Sequence, residues 1–501
     1  MGTLSGWGKR LTFTLDKDQI DAALSGFPVL VYLSAASGIG DVDVSCFFDE
    51  LGSNANRKKV AFTSSDGTTE LYAEIERFDY ASEKAWYHVK VPSVSATVDE
   101  IIYIYYDSDH ADNTSYIGDT TDAVAHNTWD SNFKLVMHMA QDPNGDVADA
   151  IKDSTSNAND GTPGGSMTTA DFVDGKIGKG IEFDGVDDKT TVPASSELNP
   201  EEGDFTVEVV CKISDVTQYR TLVTNREDNA DGEGFIFATT VTDGQPYMRL
   251  EDHGGTTFYA IAGVDISDGI YRHLAAVRDV GEGKVSLFIN GAVSGTPAED
   301  TTTQTVNSAD DLVIGQNVPS AASAYVWPDV IDEIRISKTV RAPAWIKATH
   351  HSLWDTLGTF GAEENIGGET IVATPFTGIF SLTGAVKGGQ KVTATPFTGT
   401  FSLTGAVRHI PRAQILGAIS LINSLKVGST LSLVNSLNAV FSGDITLVHD
   451  ILSKIEGSQT LRNDIENLAK FNDTLSLINH ILDADSGITQ GDYYFLKNHG
   501  I

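Results

Sequence analysis

Apolar and polar residues alternate through the first hundred positions. KRLTFTLD (9–16), PVLVYLS (28–34), KVAFTS (59–64) and YHVKV (87–91) each place every second side chain on an apolar face, the period of a half-buried strand. DEIIYIYYDSD (99–109) adds a run of β-branched and aromatic residues, and VDVSCFF (42–48) reads the same way. The turn signals AASG (35–38) and SSDG (64–67) separate the runs. The pattern predicts a sheet protein with no long helix in this region.

Texture changes from residue 371. IVATPFTGIFSLTGAV (371–386) recurs as VTATPFTGTFSLTGAV (392–407), a repeat of 21 residues. Such repeats stack copies of one small unit, and the Pro, the Gly turn and the alternating apolar run make each unit β. Further on, Leu433, Leu447, Leu461 and Leu475 are spaced by 14, and Leu461, Leu468, Leu475 and Leu482 by seven. Asn472 and Asn479 stand on the second seam of that heptad, where Asn sets register. Gly443 and Gly457 oppose a continuous helix at about 1 kcal/mol each. We expect 413–444 to be β or mixed and 445–484 helical. Units this short cannot bury an apolar face alone, so residues 365–412 and 413–501 are expected to form a fibre-like or oligomerising tail. A third compact domain is the plain alternative.

Two resemblances organise the rest. GKIGKGIEFDGVDDKTTVP (175–193), DFTVEVVCKI (204–213), YRHLAAVRDVGEGKVSLFINGAVSG (271–295), LVIGQN (312–317) and VIDEIRIS (330–337) follow one another in the order of a laminin-G-like, concanavalin-A-type domain, which they resemble. The family usually has a Trp where this chain has Val210 or Cys211. WGKRLTFTL, FPVLVYL (27–33), SDGTTELYAEIERFD (65–79), WYHVKVPSVSA (86–96) and IYIYYDS (102–108) resemble a domain-of-unknown-function family that precedes such sandwiches. RAPAWIKATHHSLWDTLGTFGAEE (341–364) resembles the closing segment of these pairs, a short helix followed by a strand. The resemblances imply an all-β chain of tandem β-sandwiches, residues 1–118 and then a jelly roll over 119–364, followed by the tail.

Charge sharpens the division. The chain of 501 residues carries −35, while residues 365–501 hold ten acids against nine bases, so −34 falls on residues 1–364 together with all six Trp. An acidic body repels phosphate backbones, so nucleic acid is not an expected partner. No run of 18 apolar residues predicts a membrane span, and MGTLSGWGKRLTF lacks the apolar core of a secretion leader. Cys46 and Cys211 each fall in a strand-like run as small buried apolar residues.

The chemistry offered is that of binding. Hard cations take several oxygens at loop spacing, and DSTSNANDG presents Asp153, Asn157 and Asn159. With Asp332 of VIDEIRIS they are the candidate calcium ligands, which the laminin-G-like resemblance favours. The plain reading of that loop is an Asx turn. For saccharides, aromatic rings at loops and strand ends supply stacking, and the candidates are Tyr219, Tyr259, Tyr325 and Trp327. No catalytic signature occurs, so enzyme activity is not expected. His138 reads as a packed core histidine, and His350 and His351 as exposed. Tandem sandwiches, no leader and a repeat-bearing tail lead us to expect a virion fibre, spike or capsid decoration protein. It would be trimeric through its tail and would contact virion or surface proteins and host glycans. A prokaryotic cell-surface adhesin or filament subunit is the alternative, and an accessory protein of a carbohydrate-active enzyme a third.

Overall fold

The alternating runs form the strands they predict. A computed structural model describes residues 2–227, 232–317 and 325–366, and beyond them the backbone of strands Thr370–Ala373, Thr377–Thr383, Lys391–Ala394 and Thr398–Thr404. In the first sandwich, one sheet runs in the order Gly358–Phe360, Lys9–Leu15, Glu100–Tyr106, Val60–Thr63, Glu70–Leu71. The other runs Leu24–Leu33, Lys84–Val94, Ala73–Asp79, Ile117–Asp119. Leu11, Phe13 and Leu15 face inward and meet Val29, Val31 and Val89 of the second sheet in a single buried cluster. Val29 lies opposite Val89 and Val31 opposite Tyr87, the β-branched and aromatic cross-strand pairs that stabilise sheets.

Two features depart from the sequence reading. VDVSCFF does not form a strand: Cys46–Leu51 is a one-turn helix that buries Phe47, Phe48 and Leu51 and stops at Gly52, whose φ of 70° is left-handed. The strand Gly358–Phe360 does not join the jelly roll either. It returns to pair with Lys9–Leu15, Phe13 opposite Phe360 with ring centroids 4.6 Å apart. The first sandwich therefore needs chain from both ends of residues 1–364. The helix Pro343–Leu353 carries the chain back, with Pro at its start and Trp345 edge-on to Phe27 at 4.9 Å.

The second sandwich packs a seven-stranded sheet on an eight-stranded one. Strand Phe205–Cys211 shows how one sequence serves two interfaces. Phe205, Val207, Val209 and Cys211 enter the core between the sheets, while Glu208 and Val210 on the opposite face are also buried. Strand Arg272–Asp279 does the same, with Leu274 and Ala276 inward and Ala275 and Val277 in the core of the first sandwich. The outer face of the larger sheet is thus covered by the first sandwich and the returning helix. Residues 1–364 form one compact unit and residues 365–501 a second.

In the second unit the two 21-residue repeats pair in parallel and in register, Thr370 with Lys391 and Thr377 with Thr398. The expectations for 413–444 and for a helical 445–484 lie outside the described residues. No helix among the described residues is long and apolar enough to cross a membrane.

Candidate functional site

The seven-stranded sheet of the jelly roll turns an exposed face outward at one edge. Strands Pro246–Glu251 and Thr257–Ile261 run antiparallel at its edge, Tyr247 opposite Ile261 and Arg249 opposite Tyr259. Met248, Leu250, Phe258 and Ala260 point into the core, so the two-residue period turns Tyr247, Arg249 and Tyr259 outward. Tyr219 and Tyr325 meet them at one end. The rings form a continuous strip, Tyr325 to Tyr219 at 5.6 Å, Tyr219 to Tyr247 at 6.1 Å and Tyr247 to Tyr259 at 6.2 Å. Tyr259 is 53% exposed, Tyr219 42% and Tyr325 37%, whereas Tyr247 is buried as their footing against Ile236 and Ala238. Tyr325 sits at φ 64°, left-handed for a bulky side chain.

Polar groups border the strip. Arg249 donates from Nε to the Tyr259 hydroxyl at 3.1 Å and pairs with Glu251. Its buried Nη1 has no partner. Burial lifts the Tyr247 hydroxyl above its ordinary range, and the neighbouring Tyr259 adds to that.

Three of the four aromatic candidates therefore come together. Trp327 does not, because it is fully buried in the core of the jelly roll, its backbone N–H on the Gly315 carbonyl at 2.7 Å. Arg249 was not among the candidates. Its signal was its place in PYMRLE, two residues from Tyr247 and so on the same face.

The candidate calcium ligands divide between two places. Asp153 accepts from the N–H groups of Val136, Thr155 and Asn159 and from the Thr155 hydroxyl. Asn157 and Asn159 donate to the Lys134 carbonyl, at 3.3 and 2.8 Å. The loop is thus a self-satisfied Asx turn. Asp332 lies under another loop, where it accepts from Ile177 N–H at 2.7 Å, and burial holds its carboxyl well above the usual range. The residues do not form a common ligand set. Of the two cysteines, Cys211 is buried, which pushes its thiol up, and Cys46 lies 3.7 Å from the Tyr106 hydroxyl.

Apart from the strip, a cleft of about 1140 Å³ lies between the two sandwiches and the end of helix Pro343–Leu353. Tyr32 and Trp86 line it with rings 5.1 Å apart, and Lys176 lies 5.3 Å over the Trp354 ring. Asp355 accepts from Gly38 N–H there at 2.8 Å, and burial pushes its carboxyl up to about 6. Trp86 is only 9% exposed, so it offers far less ring than the tyrosine strip. His350 and His351, expected at the surface, are half-buried beside the cleft.

Comparison with known families agrees with this architecture. Residues 184–347 match the family described as Concanavalin A-like lectin/glucanases superfamily. Residues 56–133 match the family described as Domain of unknown function (DUF2341). The chain carries a domain of the second kind followed by one of the first. Among solved structures it is similar to the binding domain of Paraclostridial Mosquitocidal Protein 1, at 16% identity and TM-score 0.36, covering 45% of this chain and 55% of that one. It is also similar to the receptor-binding domain of botulinum neurotoxin D, at 14% identity and TM-score 0.34, covering 44% and 52%. The chain spans about half the length of these two. A third similar structure is domain 4 of an extracellular arabinanase from Geobacillus stearothermophilus in complex with arabinotriose, at 19% identity and TM-score 0.32, covering 43% and 97%. No curated protein matches the chain.

Proposed function

We propose that this chain is a non-enzymatic attachment protein that binds neutral saccharides on the tyrosine strip of its jelly roll. The observation that carries the reading is the run of three exposed tyrosines and one buried one on an open sheet face. Rings stack on the apolar face of a sugar, and the tyrosine hydroxyls supply polar groups beside them. The acidic body, −34 over residues 1–364, disfavours sulfated or carboxylated glycans by like-charge repulsion. A saccharide microarray probed with the full chain tests this. Neutral oligosaccharides should be retained and polyanionic ones not, and a chain that binds no saccharide contradicts it.

The setting we favour is the surface of a virus particle, with the repeats forming a stalk that assembles copies of the chain. Parallel, in-register pairing of the two repeats supports a stacked tail. Several sandwiches on one stalk would turn weak single-site binding into avidity. A cell-surface adhesin uses the same parts and differs in needing an export route.

A further inference from the structure

The joint between the sandwiches is ionic and buried. Strand Ala73–Asp79 of the first sandwich supplies Glu74 and Glu76, and strand Lys84–Val94 supplies His88. The jelly roll answers with His138, just past strand Phe133–Met137, and with Asp332, Glu333 and Arg335 of strand Val330–Ser337. The side chains of Glu76, His88 and His138 are fully buried, as is Glu74, and those of Glu333 and Arg335 are 2% exposed. His138 Nδ1 lies 2.7 Å from Glu333 and 3.7 Å from Glu76, and its Nε2 is 3.4 Å from Glu74. His88 Nε2 meets Glu76 at 2.9 Å, and its ring stacks on His138 with centroids 4.6 Å apart and planes 11° apart. Arg335 donates to Glu333 at 2.6 Å and lies 5.0 Å over Trp129. Glu74 accepts from Trp129 Nε1 at 2.6 Å and Ser154 Oγ at 2.7 Å.

Glu76, His88 and His138 sit close enough together to suggest a metal site, but the stacked rings argue against one. An imidazole binds an ion in its own plane, and two parallel rings cannot both aim a lone pair at one point between them. The charges call for protons instead. Three carboxylates, Glu74, Glu76 and Glu333, face one guanidinium, and burying the excess of two negative charges is costly. Two protons balance the cluster, one on His138 and one shared by His88 and Glu76.

We propose that this cluster is a two-proton latch that holds the sandwiches together and loosens as the solution turns alkaline. Burial lowers His138, but Glu333, Glu74 and Glu76 outweigh it and hold the ring protonated well above its ordinary range. Burial pushes Glu76 up to about 8, while burial and the neighbouring cations His138 and Arg335 hold His88 well below its ordinary range. Both raised groups favour the closed joint fully at low pH and lose that contribution as pH rises, Glu76 through about 8 and His138 above its ordinary value. Glu333 is held below its ordinary range, against burial, by His138 and Arg335, so its contribution is lost only in acid. Asp332, kept protonated by burial, adds no charge. The latch also supports the cleft. Gly178 packs on Glu76, where a Cβ would come 2.7 Å from Oε1, and Ile177 N–H rests on Asp332. The cation of that loop, Lys176, turns to Trp354.

Hydrogen exchange of the full chain, corrected for intrinsic rates, reads the joint directly in segments 73–94 and 330–337. Between pH 6.5 and 8 the opening constant should rise roughly fortyfold per pH unit, short of tenfold for each proton because His138 in the open joint is half-protonated near 6.5 and Glu76 in the closed joint half-ionised near 8. Glu76→Gln keeps a neutral side chain of the same shape and should cut the slope to roughly sixfold per unit. His138→Gln gives the same reading should the first variant fold poorly. A wild-type opening constant that does not change with pH, or a variant that keeps the full slope, would overturn the latch. So would added Zn²⁺ slowing exchange in these segments, which would make the cluster a metal site.

Discussion

Tyr247 and Trp327 show how aromatic residues can lie on either side of a site boundary. Tyr247 projects from the open sheet face but is buried by its neighbours, so Tyr247→Ala should weaken saccharide binding and also lower the melting temperature, by about 2–4 °C for each kcal/mol lost in a domain of this size. Tyr259, half-exposed at the strip's edge, should give the binding loss without the thermal one. Its removal forfeits a ring contact of about 0.5–1.5 kcal/mol, roughly a twofold to thirteenfold weakening by titration calorimetry. The sequence reading placed Tyr259 only at a loop or strand end, although its alternation with core residues in a regular strand, like that of Tyr247, carries the outward turn. The burial of Trp327 was not legible, since it lies in irregular chain before Val330, where no period says which way a side chain points. The unpartnered Arg249 nitrogen was beyond the sequence too, because satisfaction of a donor depends on groups distant in the chain.

At the scale of elements, the returning helix is the clearest gain of structure over sequence. A short helix and a strand were legible in APAWIKATHHSL and GTF, but their destination was not. Trp345 fills the first sandwich edge-on to Phe27, and Arg341 lies 4.2 Å from the rings of both Phe133 and Trp345. Trp345→Ala should cost about 3–5 kcal/mol, seen as loss of protection in Lys9–Leu15 and Leu24–Leu33 by hydrogen exchange. An unchanged melting temperature would mean that the helix only rests on the first sandwich. The one-turn helix Cys46–Leu51 was misread because VDVSCFF carries strand residues, and its stop depends on the left-handed backbone at Gly52. Glu208, Glu333 and Arg335 were hidden from the sequence for another reason. Polar residues alternating with apolar ones predict a wet face, yet here that face is covered by a second domain. A single strand's pattern records that two faces differ and not what lies against each.

For the whole molecule, the division into an acidic body and a neutral repeat-bearing tail was visible in composition alone. Light scattering of the full chain beside one ending at Glu364 should give a multiple of the chain mass for the first and one chain mass for the second. Equal, single-chain masses would remove the assembling role from the tail. The latch and the strip lie on opposite layers of the jelly roll, so alkaline loosening of the joint should leave saccharide affinity unchanged.

The central claim is that the tyrosine strip binds a neutral saccharide. Its most direct test is titration calorimetry of the full chain and of a Tyr219→Ala/Tyr259→Ala variant against the neutral oligosaccharide best retained on the array. Wild-type binding with at least a tenfold loss in the variant, at an unchanged melting temperature, is the predicted result. Equal affinity in the two proteins would contradict it and move the search to the cleft beside Tyr32 and Trp354.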